Sequence, residues 1–161
     1  MIPRRSSGDP PDPGTLSVRA VLLASEEREI PVAAVDLAAR IAEQSNAPVH
    51  VFTIARVWGT TFGFPNPGLL PTKAEWDKQR KVVDKAVSRL RRKGIDADGR
   101  VIGTRAAAKR IVREARRLGC DAIVMGADPP RHRLLADFAW GHEPYRVRRK
   151  ARDLPVYLVL D

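Results

Sequence analysis

Apolar positions along the chain alternate between short unbroken runs and recurrences at helical spacing. Residues 18–24 (VRAVLLA) are an apolar run bounded by polar residues, the pattern of a buried strand. Pro31 suits the opening of a helix, where its missing N–H is not needed. Val32, Val35, Leu37, Ala38, Ile41 and Ala42 then recur at helical spacing until Asn46 and Pro48. Residues 49–54 (VHVFTI) read as a second strand. Thr72 with Glu75 makes a capping box for a long helix to about residue 93, with Trp76, Val83, Ala86, Val87 and Leu90 as its apolar stripe and Gly94 as its end. A third strand falls within residues 95–103. A second basic helix covers residues 105–118 and ends at Gly119. Residues 121–125 (DAIVM) form a fourth strand, apolar on both faces. A helix over 144–151 and a last strand over 155–160 (PVYLVL) complete the series. Strictly alternating strands and helices imply an α/β fold: an open five-stranded parallel sheet with helices on both faces.

Two stretches stand apart from this rhythm. Residues 1–17 carry four prolines and little to bury, which predicts a disordered tail ahead of one domain over residues 18–161. Residues 55–72 form a long Gly- and Pro-rich connection that carries Trp58, Phe62 and Phe64. Connections of this length are often functional. These aromatic side chains either fold back on the core or contact a partner.

Composition narrows the picture. The 161 residues are 43% apolar, enough for one core, and the single Cys120 allows no intrachain disulfide. The expectation is a reducing, cytoplasmic setting, with no apolar run long enough for a transmembrane segment and no secretory pattern at the N-terminus. The net charge of +10 is unevenly placed. Residues 73–117 hold 16 basic and 6 acidic residues, so the rest of the chain is neutral on balance. Around the second basic helix Arg105, Lys109, Arg110, Arg113, Arg116 and Arg117 fall in one sector. This is either a face for a protein or other polyanionic partner, or a solvated face in an arginine-rich chain.

Chemistry-bearing residues are sparse. In an open parallel sheet ligands sit beyond the C-terminal strand ends, which here fall near Ser25, Gly103 and Gly126–Ala127. Gly126 is a candidate phosphate cradle, as is the Gly141–His142 turn before the last helix. His50 reads as a packed strand histidine, His132 and His142 as loop residues with no metal assigned, and Cys120 as a small buried side chain. Glu26, Glu27 and Glu29 suit a helix N-terminus better than acid catalysis. No phosphate-loop, dinucleotide or metalloprotease motif occurs, so no catalytic residue is assigned and enzymatic activity is not expected.

Three stretches resemble the universal stress protein family. Residues 103–126 (GTRAAAKRIVREARRLGCDAIVMG) are similar to its glycine turn, helix and strand. Residues 141–160 (GHEPYRVRRKARDLPVYLVL) are similar to its closing helix and strand, and the first strand and helix have the expected form. The resemblance implies a homodimer through the last strand, with Val156, Tyr157, Leu158 and Val159 at the two-fold. In the branch that binds ATP, an Asp after the first strand joins a Gly-x2-Gly-x9-Gly-[Ser/Thr] loop. Here the Asp falls at Ser25, Gly126 and Ala127 open the loop, and Pro129 replaces the second glycine. Gly141 lies 15 residues after Gly126, and His142 replaces the hydroxyl. Proline has no N–H to give a phosphate. ATP is therefore disfavoured as a cofactor, although Arg131, His132 and Arg133 offer cationic groups on the same loop. The expectation is a non-enzymatic binding or regulatory module. Two alternatives stay open: an adenine-nucleotide binder with a remodelled loop, and an accessory subunit docked on a larger membrane or ribonucleoprotein assembly through the basic helices and the 55–72 loop.

Overall fold

The computed structural model describes residues 9–56, 60–61, 64–65, 71–128 and 143–160. Five parallel strands, β1 (Val21–Glu26), β2 (Val49–Arg56), β3 (Ala97–Thr104), β4 (Ala122–Ala127) and β5 (Val156–Leu160), form one sheet in the order β3-β2-β1-β4-β5. Four helices join them: α1 (Val32–Gln44), α2 (Lys73–Arg92), α3 (Ala107–Arg117) and α4 (Glu143–Ala151). A two-strand antiparallel ribbon, Thr60–Thr61 with Phe64–Pro65, lies in the β2–α2 connection.

Strand β1 is central because its residues can be buried on both sides. Val21 and Leu23 pack with α1 and α2, while Leu22 and Ala24 pack with α3 and α4. The first core adds Val35, Ile41, Val51, Val83, Leu90 and Val124, and the second Phe52, Ile54, Ile111, Ile123, Met125 and Val147. This is the doubly covered parallel sheet that the alternation predicts.

Local signals set most boundaries. Thr72 Oγ1 accepts from the Glu75 N–H at 3.2 Å and Glu75 Oε2 from the Thr72 N–H at 3.3 Å, the reciprocal capping box expected for α2. Gly94 and Gly119 take positive φ (80° and 67°) just past α2 and α3, which favours glycine. Helix α3 starts two residues later than its periodicity predicts. Thr104 Oγ1 accepts from the Ala106 N–H, and Ala106 has a non-helical ψ of 65°, so Arg105 stands outside the helix.

The tail expected over residues 1–17 is described from Asp9 onward, and there it is held. Asp12 Oδ1 accepts from the Gly14 N–H at 2.9 Å and caps a single 3-10 turn, Pro13–Thr15. The Tyr157 hydroxyl donates to the Pro11 carbonyl at 2.8 Å, and Leu16 packs against the first core. Proline blocks a helix or a ladder but does not stop a carbonyl from accepting a bond.

Strands β3 and β5 are the sheet edges. Each has its first outward carbonyl taken by an arginine of the preceding helix. Arg91 donates to Ala97 O at 2.8 and 3.0 Å, and Arg148 to Val156 O at 3.1 Å.

Candidate functional site

The strand order reverses between β1 and β4, so a crevice opens above their C-terminal ends. Ser25 and Gly126–Ala127 meet there. Ser25 is buried, and its hydroxyl donates to the Arg28 carbonyl at 2.7 Å, closing the turn after β1. Glu27 sits in that turn at φ 55°, and its N–H donates to Ile54 O at 3.2 Å, which ties the turn to β2. Arg28 then reaches across to Asp128 Oδ1 at 3.0 Å. The Tyr145 hydroxyl of α4 donates to the Asp128 carbonyl at 2.9 Å. The end of β4 is thus tied both to the β1 turn and to α4.

Gly126 is crowded for a different reason than a phosphate. A Cβ there would lie 2.7 Å from Pro31 Cδ and 2.8 Å from Pro31 Cγ. The proline ring at the start of α1 occupies the space that the absent side chain leaves. The described crevice wall also carries the Asp128 carboxylate, the partner of Arg28. Gly103 is not brought here: it ends β3 opposite Ala55, two strands away from β1. Arg131, Gly141 and His142 lie outside the described residues, as do Trp58 and Phe62, and Phe64 is described only in its backbone.

The other reactive side chains are each engaged. His50 Nδ1 shares a 2.7 Å hydrogen bond with Asp98 on the α3 side, toward the start of β2 and β3. Cys120 is buried, and burial, with Asp121, Asp98 and Glu114 adding to it, pushes its thiol up to about 12. Among the described residues no cluster of His, Cys, Asp and Glu is arranged to hold a metal ion.

The six residues predicted as one basic face divide into two groups. Arg110 and Arg117 converge with Arg100 on Glu114, which is 1% exposed in α3. The hydrogen-bonded Arg117 guanidinium holds the Glu114 carboxyl below its ordinary range against the opposing effect of burial, and Arg100 and Arg110 assist. Arg116 donates to Ala151 O at 3.3 Å and Asp153 Oδ1 at 3.1 Å, fastening α3 to α4. Arg105, Lys109 and Arg113 are exposed. The buried acid, Arg100 and the Arg28–Asp128 bridge are absent from the sequence reading. Glu114 had a signal: it lies three residues after Ile111, within the apolar stripe, with arginines at i−4 and i+3.

Strand β5 has Val156 and Tyr157 buried, Leu158 and Val159 partly buried, and Leu160 57% exposed.

The sheet order and the crevice at its reversal define a doubly wound α/β protein. Residues 17–159 match the universal stress protein family, and the chain belongs to that family. No curated protein matches the sequence. Among solved structures, a universal stress protein family member from Burkholderia pseudomallei is 23% identical with a TM-score of 0.64, covering 89% of this chain and 96% of its own. A universal stress protein in complex with cAMP is 20% identical with a TM-score of 0.64, over 90% and 98% of the two chains. One from Archaeoglobus fulgidus in complex with dAMP is 20% identical with a TM-score of 0.63, over 86% and 95%. At these identities the likeness shows the fold. No helix among the described residues is long and apolar enough to cross a membrane.

Proposed function

We propose that this chain is a non-enzymatic binding or regulatory module of the universal stress protein fold, in which ATP binding is weak or absent. The observation that carries this reading is the self-filled crevice. Pro31 stands against Gly126, and Arg28 is spent on Asp128 across the place where a phosphate would approach a strand end. A phosphate would have to displace that bridge, and the Asp128 carboxylate opposes it. Ser25 already gives its hydroxyl proton to Arg28 O. The same engagement supports the non-enzymatic reading: Ser25, His50 and Cys120 are tied to a carbonyl, tied to a carboxylate and buried as a thiol, respectively. A reducing cytoplasmic setting fits an unpaired thiol of this kind.

A thermal melt with and without magnesium ATP tests the reading. The expected result is an unchanged midpoint. Ligand at a hundredfold excess over Kd would stabilise the fold by about 2.7 kcal/mol, which moves the midpoint of a domain this size by roughly 5–10 °C. Such a rise would overturn the proposal. It would favour the second reading, an adenine-nucleotide binder with a remodelled loop, for which the cAMP and dAMP complexes of similar fold speak.

The module is proposed to dimerise through β5, an edge strand with an exposed leucine at its end, and to use the 73–117 basic block toward an acidic partner.

A further inference from the structure

We infer that the outer edge of β3, unpaired with any described strand, is a docking strand for an extended, acidic segment of a partner protein. The inference does not depend on whether the crevice binds nucleotide.

The backbone of β3 turns alternate residues toward β2 and away from it. The Val49 N–H donates to Asp96 O, so Asp98, Arg100 and Ile102, at the same parity, turn their backbone groups toward β2. Ala97, Gly99, Val101 and Gly103 therefore turn theirs outward. Arg91, bonded to Ala97 O from outside, agrees with this parity. From Gly99 to Gly103 the edge offers donors and acceptors at strand spacing, unpaired with any described strand. Such a row is a template for an added strand.

A cavity lies on each face of the strand at Gly99–Arg100. On the α3 side a cavity of about 280 Å³ is lined by His50, Phe52, Asp98, Arg100, Arg117 and Leu118. On the α2 side one of about 200 Å³ is lined by Trp76, Arg80, Val83, Asp84, Gly99 and Val101. An added strand sends alternate side chains to opposite faces, so it would fill both cavities in turn.

Charge identifies the occupant. The block that holds the whole net charge folds into α2, β3 and α3, the three elements at this edge. On the α3 side Arg100, Arg110 and Arg117 converge on Glu114, and Asp98 in the same cavity is hydrogen-bonded to His50, which leaves a cationic surplus at Arg100 and Arg117, about half exposed. On the α2 side Arg80 is offset by Asp77 at 3.1 Å, Asp84 adds a carboxylate that disfavours an acidic side chain there, and Trp76, Val83 and Val101 give the apolar part of the lining. The matching segment alternates carboxylates, directed at Arg100 and Arg117, with small apolar residues, directed at Trp76 and Val83. A nucleic acid carries the charge but has no amide ladder to pair with β3.

Fluorescence anisotropy on the full chain tests this with a labelled peptide that alternates glutamate with valine and threonine. The comparison probes are the same peptide with glutamine for glutamate, the same peptide N-methylated at alternate amides, and a single-stranded oligonucleotide. Val101→Pro removes an outward N–H without touching the β2 ladder, a position where an edge strand tolerates proline. Saturable binding that weakens with salt is expected. A loss of about tenfold or more is expected on glutamine replacement, on N-methylation and in Val101→Pro. No saturable binding, full affinity for the N-methylated peptide, or displacement by the oligonucleotide at lower concentration than by unlabelled peptide would each overturn the inference. If Val101→Pro does not give a cooperative melt, the N-methylated peptide on the unaltered chain decides alone.

Discussion

Glu114 carries one negative charge into the second core and is surrounded by Arg100, Arg110 and Arg117. Its carboxyl is held below the ordinary value of 4.5, first by the Arg117 hydrogen bond. An acid with a depressed folded pKa binds fewer protons folded than unfolded. Its contribution is therefore present above about pH 4.5 and lost as pH falls through the folded value. Glu114→Gln should cost roughly 1–3 kcal/mol at neutral pH, since charged hydrogen bonds are lost and three arginines lose their common partner. It should also flatten the acid limb of the stability profile. Urea midpoints between pH 3 and pH 7, about the span in which a shifted carboxylate titrates, check both effects; a parallel downward shift of the whole profile would contradict the second. Gly126 raises a separate question, because a crevice glycine can serve a ligand or a neighbour. If it serves Pro31, Gly126→Ala should destabilise by roughly 1–3 kcal/mol, and Pro31→Ala should return part of that loss in the double variant. Additive losses would show that the glycine answers to something other than the ring.

At the scale of elements, α2 packs against β3 over a glycine. A Cβ on Gly99 would fall 2.3 Å from Val83 Cγ1 and 3.1 Å from Val87 Cγ2. Gly99→Ala should therefore push α2 off the strand and lower the melting midpoint, and Val83→Ala in the same chain should relieve it. Equal midpoints for the single and double variants would show that β3 gives way instead. The elements were largely legible in the sequence because local chemistry writes them. The Thr72–Glu75 box, the glycines after α2 and α3, and the two-faced apolar run of β1 each leave a mark within a few residues. What was not legible is long-range. Nothing near Gly99 in the sequence tells that Val83 stands over it. The tail's hold on Tyr157 joins residues 146 apart, and the Arg28–Asp128 bridge joins residues 100 apart. The arginine face of α3 was half legible. Helical spacing placed Arg110, Arg113 and Arg117 together, but it could not say that two of them close on a buried acid while Arg105, Lys109 and Arg113 stay exposed. The partition matters for mutation. Reversing Arg117 would place a carboxylate against Glu114 and damage the fold, whereas reversing Arg105, Lys109 and Arg113 probes the surface alone.

The whole molecule presents two sheet edges, β3 and β5. The two ends of the sheet differ: β3 lies with α2 and α3 in the block that holds the net charge, whereas β5 ends in an exposed leucine beside the basic helix α4. Like charge at β3 opposes self-pairing there, since two copies of a surface with this surplus repel. The residues of β5 are uncharged, and its outward backbone groups, at Val156, Leu158 and Leu160, include one carbonyl already capped by Arg148. Pairing two β5 strands about a two-fold would join the sheets into one and leave a β3 edge at each far end. Two docking strands on one body would then raise the apparent affinity for a partner with repeated acidic segments, by effective concentration and without a new contact. Leu160→Glu tests the joint without disturbing the core, because that side chain is already 57% exposed. Sedimentation velocity should show the unaltered chain as a dimer and the variant as a monomer, with the same melting profile for both at high dilution. A monomeric unaltered chain, or a dimer that ignores the added charge, would remove β5 from the interface and leave each β3 edge to act singly.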